Sequence, residues 1–245
     1  HGARLGLLPE SIGVLEPDDA DMMLETVCKN MGLMVKSSRW VRGLSWERMT
    51  QYRESMYSGR ELPWAEKEDI LDPAYDQAFK AYRHQLLSLN VLDFGLILRE
   101  CRNLLLHYED IRAAYNEKIK HVFVDELQDS DETQFDLHDF FAPPATFFGV
   151  GDTRQAIYGF RGARPDLMLQ RHPDAEILPL TDCYRCDKSI IVAANQLIAV
   201  NAEPMTEPLT PTRPGGDPNA VSIFNGRSED IVARIKAKHD ELGYA

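Results

Sequence analysis

An α/β fold, with a parallel sheet behind a mostly helical N-terminal region, is predicted for this chain. Three observations predict it. Residues 1–118 carry helical periodicity and helix-boundary residues. From residue 119, short apolar strands alternate with helical stretches, which is the pattern of a parallel sheet. Two of the strands run straight into acids. His121-Val122-Phe123-Val124 meets Asp125-Glu126, and Thr146–Val150 meets Gly151-Asp152.

The helices follow in order. Pro17 to Met31 has acids in its first turn and Gly32 just past its end. Ser45 caps a helix that stops at Gly59. Asp72-Pro73 is a cap followed by proline at the first helical position, and that helix runs to Leu89 with Asn90 as its stop. Asp93 opens another helix, with Phe94, Ile97, Leu98 and Cys101 roughly on one face. In the second region Val122–Val124 is a strand and Glu132–Phe141 a helix closed by Pro143-Pro144. Thr146–Val150 is a second strand, Asp166–Gln170 a short helix and Ala175–Leu180 a third strand. Asp187–Val200 is a helix, and residues 203–219 read as a linker rich in Pro, Gly and Thr. Val221–Phe224 is a strand and Glu229–Leu242 the final helix.

Composition narrows the function class. The 245 residues are 44% hydrophobic and 27% charged, as in a soluble globular protein of one large or two small domains. No apolar run has the length of a membrane span, and no basic-then-apolar leader opens the chain. The chain begins at His1 rather than Met, so a segment or processed product is expected. A net charge of −12 argues against a dedicated nucleic-acid coat protein. The charge is uneven, however. Residues 121–178 carry 4 basic and 11 acidic side chains, whereas residues 36–60 carry 6 basic and 2 acidic ones. The basic segment also holds Trp40, Trp46, Tyr52 and Tyr57. It is either a grip on a DNA backbone or an amphipathic helix with a solvated basic side. Cys183 and Cys186 have no second ligand pair and no thioredoxin-like context, so free thiols in a reducing cytoplasm are expected.

The chemistry lies in three segments. The first is Val124 to Ser130, where an Asp at a strand's carboxyl end can hold Mg²⁺ and a neighbouring Glu can polarise a water. The second is Val150 to Ala163, where Gly149, Gly151, Gly159 and Gly162 surround Gln155, Tyr158, Phe160 and Arg161. The third is Leu180 to Cys186, leaving a strand and entering a helix. An Asp-Glu after an apolar strand is by itself a weak signal, since caps and solvated loops also look like this.

In this order and spacing the segments resemble the UvrD/Rep/PcrA family of superfamily 1 ATP-dependent DNA helicases. Val124–Ser130 is similar to that family's V-D-E-F-Q-D-T, and Val150–Ala163 to its V-G-D-x-x-Q-S-I-Y-x-F/W-R-G-A. Cys183–Cys186 followed by Ala194-Asn195-Gln196-Leu197-Ile198 is similar to its N-Y-R-S and A-N-x-L-I. Val91-Leu92-Asp93-Phe94 looks like the helix start that precedes the family's second motif. The resemblance implies a partial RecA-like (P-loop NTPase-type) parallel sheet. Residues 1–118 would be the helical insertion domain, 119–178 the C-terminal half of the first RecA-like domain and 179–245 the start of the second.

It also implies ATP and Mg²⁺ as ligands, and single-stranded DNA and duplex junctions as partners. Asp125 would bind Mg²⁺ and Glu126 would be the general base. Gln155 would sense the γ-phosphate and link it to the DNA site, Tyr184 would stack on adenine, and Arg185 would reach the γ-phosphate as an arginine finger. Tyr158 and Phe160 would stack on DNA bases, and Arg161 would tie their segment to the acids of the first. The competing reading for Tyr158 and Phe160 is a buried strand face, which the flanking glycines and Arg161 oppose. Asp129 and Asp152 read as acceptors of loop N–H groups.

This sequence departs from the family pattern at Cys183, Cys186 and Leu127, which stand for the usual Asn, Ser and aromatic. No Lys follows a Gly, so the phosphate loop is missing, and the family's late motifs are missing as well. The resemblance therefore implies a middle segment, idle as an ATPase by itself, with strand 122–124 left an open edge that invites self-association. Two alternatives remain. One is a non-enzymatic DNA-binding or regulatory module derived from a helicase; the other is part of a helicase-nuclease subunit.

Overall fold

The computed structural model describes residues 2–8, 11–35, 39–40, 44–59, 73–141, 145–200, 207–213, 215–216, 221 and 226–242. The chain forms two compact units, residues 1–175 and 176–245. Both mix helices with short strands, as in an α/β protein. No helix among the described residues is long and apolar enough to cross a membrane.

The first unit runs β1 (Gly13–Leu15), α1 (Pro17–Asn30), β2 (Met34–Val35), β3 (Arg39–Trp40), α2 (Trp46–Ser58), α3 (Pro73–Ser88), β4 (Val91–Asp93), α4 (Phe94–His107), α5 (Glu109–Lys118), β5 (His121–Val124), α6 (Glu132–Phe141), β6 (Thr146–Gly149) and α7 (Leu167–Gln170). Local chemistry sets several of these boundaries. The Ser45 hydroxyl accepts from the Arg48 N–H at 3.1 Å, and Gly59 ends α2 at φ 76°, a left-handed conformation that costs glycine little. Asp131 and Gln134 cap α6 reciprocally: the Gln134 N–H donates to Asp131 at 2.8 Å and the Asp131 N–H donates to Gln134 at 2.9 Å. The predicted cap at Asp72 and the stop at Pro143-Pro144 lie outside the described residues.

The N-terminal region is less purely helical than predicted, because β1 pairs parallel with β4, Gly13 opposite Val91. The largest core gathers side chains of α1, α2, α3 and α4, including Leu24, Met49, Phe79, Tyr82 and Leu96. At its centre Asp93 caps α4 through the Leu96 N–H at 2.7 Å, and its other oxygen accepts from the buried hydroxyls of Tyr57 and Tyr82. Gly95 sits against the Tyr57 ring so closely that a Cβ there would collide with it. These contacts fix the rotation of α4, and the face predicted from periodicity is displaced. Phe94 and Cys101 are exposed; Leu96, Glu100 and Leu105 are buried, with Glu100 paired to Arg83 by two bonds of 2.6 and 2.7 Å.

The basic, aromatic segment is resolved by the same core. Tyr52 and Tyr57 are buried, Trp40 and Trp46 pack beside them, and buried Arg53 pairs with Asp21 at 2.7 Å. Tyr52 and Tyr57 of this segment thus build the core, and Trp40 and Trp46 lie partly buried against it.

The sheet is also smaller than predicted. Among the described residues each sheet has two strands, so no continuous parallel sheet forms. β5 and β6 pair in parallel, His121 with Thr146 through Val124 with Gly149. Val124, Phe147 and Met168 pack on a second core of Leu127, Phe135 and Leu167.

The second unit holds β7 (Asp182–Cys183), α8 (Lys188–Ile198), β8 (Thr210–Pro211) and α9 (Ser228–Leu242). The predicted strand at Ala175–Leu180 does not form. Its backbone finds no pairing strand among the described residues, and Ile177, Leu178 and Leu180 are exposed. The short strand beyond it, β7, pairs in parallel with β8, which lies inside the stretch predicted to be a linker. Of the predicted strand Val221–Phe224 only Val221 is among the described residues, and it lies outside regular structure.

Candidate functional site

The site is built at the carboxyl ends of β5 and β6. Their pairing continues past the strands: the Val150 N–H donates to the Val124 carbonyl and the Leu127 N–H to the Val150 carbonyl, both at 2.8 Å. That extra rung holds the two strand-end turns side by side. Leu127 is buried and anchors the first turn, while Asp125 and Glu126 face solvent. Glu126 adopts φ 50°, ψ 43°, a left-handed backbone uncommon for a residue with a Cβ. Such a backbone marks a position whose side-chain direction is set by its surroundings.

Asp125 accepts the Glu126 N–H on one oxygen at 3.0 Å. Its exposed carboxylate suits Mg²⁺, a hard cation usually held by one or two carboxylates together with water and phosphate oxygens. No cluster of three or more His, Cys, Asp or Glu that could hold a metal occurs among the described residues.

Glu126 accepts on Oε2 from Nε2 of Gln128 at 2.7 Å. Gln128 is 1% exposed, and its Oε1 accepts the Asp152 N–H at 3.0 Å. Asp152 in turn accepts the Arg154 N–H and the Gln155 side-chain amide, each at 3.0 Å. Gln155 is thereby brought to the same edge as Glu126. Sequence reasoning missed Gln128; the available signal was an uncharged polar residue beside Leu127 in a turn rich in acids.

The segment then presents Tyr158 and Phe160, both exposed, with ring centroids 6.0 Å apart. Gly162 turns it back at φ 98°, and the Arg164 N–H donates to the Ser130 carbonyl at 2.8 Å. Arg161 lies 5.6 Å from the Tyr158 ring centre and 5.9 Å from that of Phe160. The tie expected between Arg161 and the acids is absent from the described contacts. Gln128 and the Arg164 N–H join the two turns instead. Just beyond, burial pushes the Asp131 carboxyl up to about 6, the charges of Glu54 and Asp136 adding to the effect.

In the second unit Tyr184 is 70% exposed and Arg185 is exposed. Arg213 donates to the Tyr184 carbonyl at 2.8 Å, and Thr212 donates to that of Cys183. Asn195 makes a two-way amide pair with Leu209, and Asp187 caps α8 through the Ser189 N–H at 2.8 Å. All four cysteines are free thiols. Backbone N–H groups of Cys186 and Arg185 hold the Cys183 thiol below the ordinary cysteine range.

Parallel strands ending side by side in an Asp-Glu and a Gly-Asp, joined by a buried amide and followed by an exposed aromatic pair, define an α/β protein with a strand-end acidic site. Comparison with known proteins gives the family. The family described as UvrD/REP helicase N-terminal domain matches residues 1–176, and the chain belongs to it. ATP-dependent DNA helicase UvrD1 of Mycobacterium tuberculosis (strain ATCC 25618 / H37Rv) is 28% identical over 209 residues, covering 80% of this chain and 27% of that protein. ATP-dependent DNA helicase Rep of Escherichia coli K12 is 36% identical over 134 residues, 53% of this chain and 20% of Rep. ATP-dependent DNA helicase PcrA of Staphylococcus epidermidis (strain ATCC 35984 / DSM 28319 / BCRC 17069 / CCUG 31568 / BM 3577 / RP62A) is 27% identical over 248 residues, 98% of this chain and 33% of PcrA. The chain thus spans a third or less of the length of these relatives.

Proposed function

We propose that this chain is the segment of a cytoplasmic ATP-dependent DNA helicase that couples ATP hydrolysis to translocation on single-stranded DNA and unwinding at duplex junctions. The observation that carries the reading is the side-by-side placement of Asp125-Glu126 and Asp152–Gln155 at the ends of paired β5 and β6. Residues 1–118 serve as the insertion domain, 119–178 as half of one RecA-like domain and 179–245 as the start of the next.

In this reading the Glu126 carboxylate takes a proton from water as the water oxygen bonds to the γ-phosphorus and the bond from that phosphorus to the β–γ bridging oxygen breaks, releasing ADP and inorganic phosphate. Asp125 would hold Mg²⁺, directly or through water. When bound, Mg²⁺ would neutralise charge on phosphate oxygens. Gln155 senses the γ-phosphate from the turn that leads to the aromatics. Tyr158 and Phe160 stack on bases, and Arg161, above their rings, adds positive charge for the DNA backbone. Tyr184 stacks on adenine and Arg185 contacts the γ-phosphate.

Filter binding of oligo(dT) across a salt series tests the DNA face. Tyr158→Ala and Phe160→Ala are expected to weaken binding by about 1–3 kcal/mol each. Unchanged affinity in both would remove the stacking assignment. These 245 residues contain no Lys next to a Gly, so alone they are expected to hydrolyse ATP negligibly. Robust DNA-stimulated hydrolysis by the isolated chain, abolished by Glu126→Gln, would refute this.

Among the described residues β5 and β6 pair only with each other, and Phe123 is 73% exposed on their outer face. We expect that face and edge to drive self-association of the isolated chain. Light scattering that stays monomeric at tens of micromolar would count against it.

A further inference from the structure

Cys183 and Cys186 are the positions at which the third segment departs from the family pattern, so the family's ATP chemistry requires no thiol there. They flank Tyr184 and Arg185. Cys28 and Cys101 lie in the first unit, so Cys183 and Cys186 have only each other as thiols within their own unit.

The fold holds this pair together. Cys183 ends β7, opposite Pro211 of β8. Its carbonyl accepts from the Thr212 N–H at 3.2 Å and from the Thr212 hydroxyl at 2.8 Å. The chain bends at Tyr184, Arg185 and Cys186 and then enters α8. Asn195 of α8 is bonded to Leu209, the residue before β8, at 2.8 and 3.1 Å. Both ends of the turn are therefore fastened to the same strand and cannot drift apart. The turn folds back on the Cys183 sulfur, which accepts from the backbone N–H groups of Cys186 and Arg185 and meets the Cys186 thiol within hydrogen-bond reach. Both cysteines are partly exposed, so a small oxidant reaches them. The Cys186 and Arg185 N–H groups, then the Cys186 thiol and the Arg185 charge, favour the Cys183 thiolate, the form that reacts with oxidants.

We propose that Cys183 and Cys186 are a redox modification site, which a hydroperoxide converts to an intramolecular disulfide enclosing Tyr184 and Arg185 in its ring. The Cys183 thiolate attacks one oxygen of hydrogen peroxide; the O–O bond breaks and hydroxide leaves, giving a sulfenic acid. That hydroxide takes the Cys186 proton and becomes water. The Cys186 sulfur then bonds to the sulfenic sulfur, and the S–O bond breaks to release a second hydroxide, which the proton first lost from Cys183 neutralises. The pair of thiols loses two electrons, one peroxide becomes two waters, and a reducing dithiol restores the thiols. Closing the ring constrains the backbone of Tyr184 and Arg185, the residues assigned above to adenine and the γ-phosphate. The consequence for ATP rests on that helicase reading; the sulfur–sulfur bond does not. A reacting group displaced by about 1 Å can cost about a hundredfold in rate, so the disulfide is expected to lower ATP use by about tenfold or more.

The test treats the complete gene product with hydrogen peroxide and then blocks its free thiols with N-ethylmaleimide. Trypsin cuts after Arg171, Arg185 and Lys188, so residues 172–185 and 186–188 stay joined only by the disulfide. Mass spectrometry is expected to find the joined species after peroxide and to lose it after dithiothreitol. DNA-stimulated kcat/KM for ATP should fall about tenfold or more on oxidation and return with dithiothreitol. The double variant Cys183→Asn/Cys186→Ser, which carries the family's residues, should keep the reduced rate and lose the response to peroxide. Sulfinic or intermolecular products without the joined species would overturn the disulfide, whether or not the variant folds. A joined species with unchanged kcat/KM, or an equal peroxide loss in the double variant, would overturn its control of ATP use. Reduced wild type without DNA-stimulated hydrolysis would overturn the helicase reading, while the joined species would still support the disulfide.

Discussion

Asp93→Ala should come close to unfolding the first unit. The Asp93 carboxylate is buried and serves three donors: the Tyr57 and Tyr82 hydroxyls on one oxygen and the Leu96 N–H, at 2.7 Å, on the other. Removing it strands two buried hydroxyls, each costing about 1–3 kcal/mol. It also removes an N-cap, worth about 0.5–2 kcal/mol. Relief of the buried charge returns part of this, so we expect a net loss of ~3–5 kcal/mol. Domains are stable by only about 5–15 kcal/mol, so the variant should be largely unfolded in mild urea. Burial, and then the Asp93 charge, push both phenols far above the ordinary tyrosine range, so both stay protonated donors throughout the assay. Urea denaturation followed by circular dichroism reads the loss. A double-mutant cycle isolates its cause: Tyr82→Phe should cost about 1 kcal/mol in the wild-type background and close to nothing beside Asp93→Ala. A loss below ~1 kcal/mol for Asp93→Ala, or the same Tyr82→Phe cost in both backgrounds, would refute the reasoning.

Asp131→Asn should stabilise the chain at pH 7.5. The folded carboxyl titrates at about 6, above its ordinary 3.8, so its favourable contribution is full below 3.8 and is lost as pH rises through 6. The gain should be ~1–2 kcal/mol after allowing for residual exposure and should vanish near pH 3.5 in pH-dependent melting; a pH-independent difference would contradict it. Gly95→Ala, which drives a Cβ into the Tyr57 ring, should cost about 1–3 kcal/mol or more by thermal melting, and a neutral result would show that the ring can move aside. Timed iodoacetamide labelling with peptide mapping should modify Cys183 first. Cys28, buried with its thiol pushed up to about 11, should react only on unfolding, and the reverse order would negate this.

What the sequence made legible was chemistry confined to a few neighbouring residues. Ser45 and Gly59 bracket α2 because a hydroxyl and a missing Cβ act over one helical turn. The helix start at Asp93 and the strand ends at Asp125 and Asp152 were legible for the same reason. Features that depend on distant parts of the chain were not. The face of α4 is set by Tyr57 and Tyr82, 36 and 11 residues before Asp93. Ala175–Leu180 has the composition of a strand, yet a strand requires a partner. At the site, the bonds that join the two turns, from Gln128 and from the Arg164 N–H, become visible only once β6 returns beside β5 and brings the Asp152 N–H within 3.0 Å of Gln128.

The backbone of Glu126 bears on how this protein can change under selection. At φ 50° a Gly or Asn would relax conformational strain of about 1 kcal/mol that Glu must carry. The substitutions that would most readily harden this turn against heat are therefore those that erase its carboxylate. A screen for thermal tolerance alone should drift toward Gly or Asn at 126, selecting sturdier proteins in which the turn has lost its acid.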